Sequence, residues 1–219
     1  IKNERGETMI GLKRGTVQLL YHDTKWDSFA AETISRLKGI FGKAAVDIQH
    51  VGSTAVKSIK AKPIIDIAVG VKDLNYAKRF ISLMERNGYM YKDIGRDREL
   101  FFSSGDIEND IRNCHIHVVE VRGKEWADYI TFRDYLNDNI NVAKEYETLK
   151  LDLCEKYSED RESYTAGKSE FIKRTLREAR ATHFLGRIVD IVIDRPLGSV
   201  HPDHEDIVYP VNYGYIPNT

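Results

Sequence analysis

The chain has 219 residues, of which 42% are hydrophobic and 31% are charged. Lys and Arg number 33 and Asp and Glu number 34, so the formal net charge at pH 7 is -1. This balance excludes a general electrostatic attraction to nucleic acid or to an anionic membrane. The length and the hydrophobic fraction predict one full domain with a buried core and some residues left over.

The cysteine content and the apolar runs bear on the cellular compartment. The two cysteines, Cys114 and Cys154, lack the number and spacing of a disulfide scaffold or a metal site. No apolar run approaches the ~20 residues that a membrane-spanning helix needs, and the charged N-terminal residues do not resemble a signal peptide. The sequence therefore predicts a cytoplasmic protein with no membrane partner and no clear binding of nucleic acid.

Helical and strand-like patterns alternate through most of the chain. In chain order they predict a helix over 25–41, strands over 45–51 and 64–71, a helix over 74–86, strands over 89–91, 99–103 and 113–121, and helices over 125–137, 140–157 and 163–181. The run 64–71 is typical of a central strand buried on both faces, because almost every residue in it is apolar. Its one carboxylate is Asp66. This order of elements predicts an α/β fold.

Beyond residue 182 only strand patterns remain. Strands are predicted over 188–193, 206–209 and 212–216. Two or three strands alone cannot cover a core. We therefore expect a main domain over 9–182 and the start of an incomplete β domain over 183–219, whose remainder would be its partner.

A candidate anion site lies where the first strand ends. Gly52 lets the backbone approach an anion closely, and Ser53 adds a hydroxyl. Three lysines of the following loop, of which Lys62 is the last, add positive charge. Asp66, on the next strand, can hold a hydrated Mg²⁺ that bridges phosphate oxygens. In the alternative interpretation the loop is a plain turn and backbone donors satisfy Asp66, although an ionised carboxylate in so apolar a run is costly.

A second candidate group lies on the strand over 113–121. His115 and His117 are two residues apart, so their imidazoles share one face of the sheet. Such a pair can bind a metal, contact phosphate, move protons or be purely structural. Arg112, just before the strand, is a candidate phosphate donor. Arg133, on the helix over 125–137, either faces the cleft as a ligand contact or pairs with Asp134 or a nearby glutamate.

Several blocks in order resemble one known family. They are His50-Val-Gly-Ser-Thr-Ala-Val56, Lys62-Pro-Ile-Ile-Asp-Ile67, His115-Ile-His-Val118 and Phe132-Arg-Asp-Tyr-Leu136. Residues 9–181 thereby resemble the GrpB family, which belongs to the nucleotidyltransferase superfamily. The resemblance implies a nucleotidyltransferase-like mixed central sheet flanked by helices, with a cleft beside the Gly52–Ser53 loop.

The resemblance also implies which residues carry chemistry. Active members of the superfamily hold two Mg²⁺ ions and a nucleoside triphosphate on Gly-Ser, a D-x-D or D-x-E pair, and a carboxylate from a later strand. Asp66 matches the first carboxylate, whereas Ala68 occupies its partner position. The later strand offers His117 or His115, with Glu120 as a remote substitute. The implied site is one weakly bound Mg²⁺, with Asp66 and His117 as metal ligands and catalytic residues.

The end of the chain carries a second resemblance. Residues 209–217, with Gly186-Arg-Ile-Val upstream, resemble the opening of a soluble inorganic pyrophosphatase, and Tyr213 matches a tyrosine of its phosphate pocket. The acidic Mg²⁺-binding cluster of that family lies beyond the matched segment. The resemblance therefore implies that these residues alone do not hydrolyse pyrophosphate. It also suggests a whole protein that consumes the pyrophosphate it releases.

Three functions stay open from the sequence. The first is binding of a nucleotide or other phosphorylated small molecule with Mg²⁺, with transfer of a nucleotidyl group. The second is a catalytically degenerate module that binds the same ligand, which Ala68 favours. The third is a metal-dependent hydrolase on Asp66, His115 and His117, which would be purified with a tightly bound metal.

Overall fold

The computed structural model describes residues 10–183, 190–202 and 204–215. Its contacts divide the chain into two units, Ile1–Ala179 and Arg180–Thr219. The domain limits predicted from the sequence, 9–182 and 183–219, stay a prediction. Each unit is described by itself.

The first unit is built on a mixed sheet. Its strands are β1 (Leu12–Lys13), β2 (Ala45–Val51), β3 (Ile65–Val71), β4 (Met90–Lys92), β5 (Leu100–Ser104), β6 (Ile111–Arg112) and β7 (Cys114–Glu120). Five of them form the central sheet in the order β2-β3-β7-β5-β4. β3 and β7 are parallel and the other neighbours are antiparallel. The predicted central strand is thus confirmed, because β3 has a partner on each side.

Seven α-helices belong wholly or largely to this unit. They are α1 (Thr24–Phe41), α2 (Leu74–Ala77), α3 (Ile81–Arg86), α4 (Lys124–Asp138), α5 (Ile140–Lys156), α6 (Arg161–Ala166) and α7 (Ser169–His183). Asp23 begins α1 by accepting a hydrogen bond from the backbone N–H of Lys25 at 2.9 Å. No helix in the described part of the chain has the length and apolar character needed to cross a membrane.

The two faces of the sheet carry different residues. Alternate residues of β3 and β7 form an apolar core with α1, α2 and α3, and this core includes Trp26, Ile67 and Ile116. The other face bears Asp66 and is covered by α4, whose Trp126 leaves no space for a side chain at Gly70. The predicted α/β fold, a mixed central sheet flanked by helices, is confirmed.

Two predicted helices are interrupted. The helix expected over 163–181 is divided into α6 and α7 at Gly167, where an added Cβ would lie 2.5 Å from Leu153 Cδ2. The helix expected over 74–86 contains a 3₁₀ turn between α2 and α3. The short antiparallel pair of β1 and β6 was not predicted.

In the second unit, the described residues beyond the end of α7 form strands as their only regular elements. They are β8 (Val192–Arg195), β9 (Val200–His201), β10 (His204–Val208) and β11 (Tyr213–Tyr215). β9 pairs with β10, and β8 pairs with β11, both antiparallel. The β-only character expected here is therefore confirmed. Residues 186–189 and 216–217, used for the predicted strands and for the second resemblance, lie outside the described residues.

Candidate functional site

Strand register brings the candidate site together on the polar face of the sheet. Asp66 of β3 lies opposite Val51 of β2 and opposite His115 of β7. His117 lies one step along β7, opposite Ala68. Side chains two residues apart share a face, so Asp66, His115 and His117 converge under α4, as their spacing predicted.

Gly52 places the loop directly against Asp66. Its backbone has φ 71° and ψ −170°, a conformation that is essentially restricted to glycine. A Cβ added at Gly52 would lie 2.5 Å from Asp66 Oδ2. Ser53 follows in a short 3₁₀ turn, within hydrogen-bonding reach of the Tyr146 hydroxyl on α5. The loop and the carboxylate therefore belong to one site.

Asp66 is held as a carboxylate by two imidazoles. His115 Nδ1 lies 3.0 Å and His117 Nε2 lies 3.6 Å from Asp66 Oδ1. Burial alone would raise the pKa of Asp66, but the hydrogen bonds of the two histidines and the charge of His117 lower the pKa well below its ordinary range. Asp66 is thus ionised at neutral pH, and its Oδ2 points toward Gly52.

Glu99, just before β5, is the fourth residue of the group formed by Asp66, His115 and His117. Glu99 was not predicted as a site residue from the sequence. Its Oε1 lies 2.5 Å from His117 Nδ1 and accepts a hydrogen bond of 3.3 Å from the Tyr129 hydroxyl. Burial alone would lower the pKa of His117, but Asp66 and Glu99 on either side raise that pKa to about 9. His117 is therefore an imidazolium at neutral pH, and it bridges the two carboxylates.

His115 is the neutral member of the pair. Burial lowers its pKa despite the hydrogen bond with Asp66. Its Nδ1–H donates to Asp66. Its Nε2 lies 3.4 Å from Arg161 Nη2, and in this contact the guanidinium N–H donates and Nε2 accepts. His115 therefore connects Asp66 with the first residue of α6.

Three lysines pack beside the loop, and we call them the lysine cluster: Lys62, Lys150 and Lys168. Lys62 Nζ and Lys168 Nζ lie 4.8 and 4.7 Å from the centroid of the Tyr164 ring. Lys150 Nζ lies 4.8 Å from the centroid of the Tyr146 ring, and its side chain is only 1% exposed. Lys62 precedes β3, Lys150 lies on α5, and Lys168 lies in the turn between α6 and α7.

The cations of the cluster raise one another's electrostatic energy. Burial, followed by Lys168 and Arg161, lowers the pKa of Lys62 to about 7. Burial and the charges of Lys168 and Lys62 lower the pKa of Lys150 to about 7, against the opposing effect of Glu147. Among the described residues, no carboxylate forms an ion pair with any lysine of the cluster. Asp66 and Glu147 offset part of this effect, and buried cations that form no ion pair are typical of a site that receives an anion.

The other lysines of the loop turn away from the site. Lys57 Nζ lies 3.4 Å from Asp27 Oδ2 on α1. Lys60 Nζ lies 4.5 Å from the centroid of the Tyr21 ring. Of the three lysines in the predicted basic loop, Lys62 alone joins the cluster.

Arg133 and Glu120 contact other parts of the protein. Arg133 Nη1 donates to Gln49 Oε1 at 2.9 Å and to the His50 carbonyl at 3.0 Å, so it fastens α4 to β2. Its Nε donates to Asp134, the pairing considered from the sequence. Glu120 Oε1 accepts from the backbone N–H of Leu74 at the far end of β7. A role for Arg133 in ligand binding stays a prediction.

The donor set fits one magnesium ion better than two. Ala68 supplies no oxygen beside Asp66, and Glu99 is engaged by His117. In the described ranges, no three His, Cys, Asp or Glu side chains form a group that could hold a metal ion. Mg²⁺ is often held by one carboxylate together with the phosphates of its ligand, and Asp66 is the carboxylate here that could serve in this way.

Comparisons with known proteins agree with this fold. A protein-family model described as GrpB protein matches residues 16–178. The chain is 43% identical over 173 residues to "Glutamate-rich protein GrpB" of Alkalihalophilus pseudofirmus, which covers 78% of this chain and 99% of that protein. The crystal structure of conserved protein GrpB from Enterococcus faecalis aligns with a TM-score of 0.70 and 28% identity, over 76% of this chain and 99% of that chain.

A structure of the Cid1 poly(U) polymerase also aligns, over 61% of this chain and 45% of that one. The TM-score is 0.37 and the identity is 17%, which are too low to support an inference about function. The family match, in contrast, spans most of the first unit. The chain belongs to the GrpB family.

Proposed function

We propose that this protein binds a nucleotide or another phosphorylated small molecule, together with Mg²⁺, beside the Gly52–Ser53 loop. The observation that carries the proposal is the lysine cluster. Its three part-buried or buried cations surround two tyrosine rings and have no carboxylate partner among the described residues. Phosphate groups combine negative charge with several acceptor oxygens, so they compensate for the burial and the mutual repulsion that lower the lysine pKa values.

Asp66 is the residue that would hold Mg²⁺, with the phosphate oxygens of the ligand completing its coordination. The bound ion would neutralise phosphate charge and polarise a phosphoryl oxygen. His115 and His117 keep Asp66 ionised and fixed in position. We assign His117 this supporting role, because an imidazolium between two carboxylates has no lone pair for a metal or a proton.

The finer proposal is transfer of a nucleotidyl group in the cytoplasm. The hydroxyl oxygen of an acceptor forms a bond to the α-phosphorus, and the bond from this phosphorus to the bridging oxygen breaks. Pyrophosphate leaves, and the proton of the hydroxyl passes to solvent. The lysine cluster would stabilise the charge that develops on the leaving pyrophosphate, because its ammonium groups are already in place.

A degenerate binding module is the second candidate, and Ala68 is the observation that favours it. A transferase of the usual kind needs a second carboxylate two residues after Asp66. The described site offers Glu99 instead, on the far side of His117. The two candidates predict the same ligand binding and differ only in product formation.

The resemblance of residues 183–219 to a pyrophosphatase supports a separate proposal about the whole protein. In it, the pyrophosphate released by the first unit is hydrolysed by a C-terminal domain. Its support is the sequence resemblance alone, because the family match ends at residue 178. Measurement of pyrophosphate hydrolysis by the full-length protein tests it, and an inactive full-length protein contradicts it.

The test of ligand binding is thermal unfolding with ATP, CTP, GTP, UTP and pyrophosphate, each with and without Mg²⁺. A ligand that binds only the native state raises the unfolding midpoint by mass action. We expect a Mg²⁺-dependent rise with at least one of these ligands, and its loss in Asp66→Asn. Asp138→Asn, at the exposed end of α4, is the matched control and should respond like the unchanged protein. No rise with any ligand would contradict the proposal.

A further inference from the structure

A second group of cations lies on the other side of His115. Arg161 Nη2 is 3.4 Å from His115 Nε2, while the Nδ1 of the same ring is 3.0 Å from Asp66 Oδ1. His115 thus stands between Asp66 and Arg161. Within the described part of the chain, Arg161 forms no ion pair with a carboxylate.

Arg112 is a buried cation with an unsatisfied donor. Its side chain is 11% exposed, and its Nη1 is buried without a hydrogen-bond partner among the described residues. Its Nη2 lies 3.5 Å from Asp110 Oδ1, a carboxylate that is itself 46% exposed. A guanidinium has five N–H donors, and burying one of them unpaired costs free energy. The described residues therefore leave this donor of Arg112 without an acceptor.

The two arginines act on one another electrostatically. Burial lowers the pKa of Arg161, and the charges of Arg14 and Arg112 lower it further against the opposing effect of Asp66. Arg161 in turn lowers the pKa of Lys62 and of Lys168. Arg161 contacts His115, and Arg112 lies three residues before His115 in the chain, so both arginines lie at the N-terminal end of β7.

We propose that Arg112 and Arg161 form a second oxyanion site, which binds a phosphate or carboxylate group of the acceptor molecule. Planar guanidinium groups match the oxygens of both anions. The site adjoins His115, whose other ring nitrogen contacts Asp66, so an acceptor held there would lie near Asp66. That the bound molecule is an acceptor rests on the proposed function, whereas binding of an oxyanion is inferred from the two arginines alone.

Calorimetric titration with inorganic phosphate and with acetate tests the second site. The titrations use Lys150→Met as the background, which weakens phosphate binding at the lysine cluster. In this background, Arg112→Gln and Arg161→Gln should each weaken phosphate binding about tenfold or more, because each removes charge-assisted hydrogen bonds. Arg86→Gln, at an exposed position at the end of α3, is the matched control and should leave phosphate binding unchanged.

The result that would overturn the second site is phosphate and acetate affinity equal in the background protein and in both arginine variants, or no binding of either anion. If acetate competes with phosphate, the acceptor carries a carboxylate. If phosphate alone binds, the acceptor carries a phosphate group.

Failure of the second site is distinguishable from failure of the proposed function. If a nucleotide stabilises the unchanged protein but neither arginine variant changes phosphate binding, the second site fails and the proposed function stands. If no nucleotide stabilises the unchanged protein but phosphate binding still depends on Arg112, the oxyanion site stands and the transferase proposal fails.

Discussion

The two faces of the central sheet are made by alternate residues of the same strands, yet one face is apolar and the other is charged. On the face toward α1, α2 and α3, residues such as Ile67 and Ile116 are completely buried among other apolar side chains. On the face toward α4, Asp66, Glu99 and the lysine cluster carry charge out of bulk water. Apolar burial stabilises the fold, whereas burying like charges opposes it. The first face accounts for the stability of the unit, and the proposed ligand would account for the charges on the second.

The largest expected effect is on the apolar face. Ile116→Ala should lower the free energy of unfolding by about 2–5 kcal/mol, because it leaves a cavity at the centre of the core. Urea denaturation measures it, and the remaining folded protein should still respond to nucleotide. The control is Val46→Ala, at an exposed position on β2, which should change little. Equal losses for the two variants would contradict the division between the faces.

The next effect is at Gly52, where the loop meets Asp66. Gly52→Ala should lower the free energy of unfolding by about 1–3 kcal/mol, because alanine is strained at φ 71° and its Cβ would press on Asp66. Nucleotide stabilisation should be lost as well. Gly39→Ala is the control: it lies in α1 with no atom within 4 Å of the new Cβ, and it should stabilise the protein by about 0.5–1 kcal/mol. Tolerance of alanine at Gly52 would show that the close approach is not required.

The smallest effect has the opposite sign. Lys150→Met should raise the free energy of unfolding by about 1–2 kcal/mol at pH 7, because it removes a buried charge that is disfavoured beside Lys62 and Lys168. The pKa of Lys150 is about 7 in the native state, against an ordinary value of 10.5. Between pH 7 and pH 10.5, Lys150 is therefore protonated to a greater extent in the unfolded chain than in the native protein.

The stability of the unchanged protein therefore rises with pH across this window. The advantage of Lys150→Met should be complete at pH 7 and should disappear toward pH 10.5. Denaturation at several pH values measures the difference. A variant that is less stable than the unchanged protein at every pH would contradict the assignment of Lys150 as a destabilising charge.

The parts of the site that follow from local rules were predictable. The period of two in a strand placed His115 and His117 on one face. The glycine after a strand predicted a loop that approaches an anion closely, with Asp66 on the neighbouring strand. The apolar run of β3 predicted a central strand, because both faces of such a strand are covered.

The missed residues depend on long-range packing. Lys168 comes from the break between α6 and α7, and Arg161 from the start of α6, so neither position follows from spacing. Lys150 did leave a signal: it occupies the buried stripe of α5, whose other members are Ala143, Tyr146 and Leu153. Glu99 precedes β5 by one residue and shares the face of Phe101, but the strand pattern there was weak.

The central claim is that the lysine cluster exists for a phosphorylated ligand, and calorimetric titration of Lys150→Met tests it most directly. The ligand is the nucleotide or pyrophosphate that gives the largest Mg²⁺-dependent stabilisation. The control is Lys173→Met, at an exposed position on α7 where Lys173 pairs with Glu170. We predict that Lys150→Met binds the ligand about tenfold or more weakly while being the more stable protein, and that Lys173→Met binds it normally. Unchanged affinity in Lys150→Met would contradict the account.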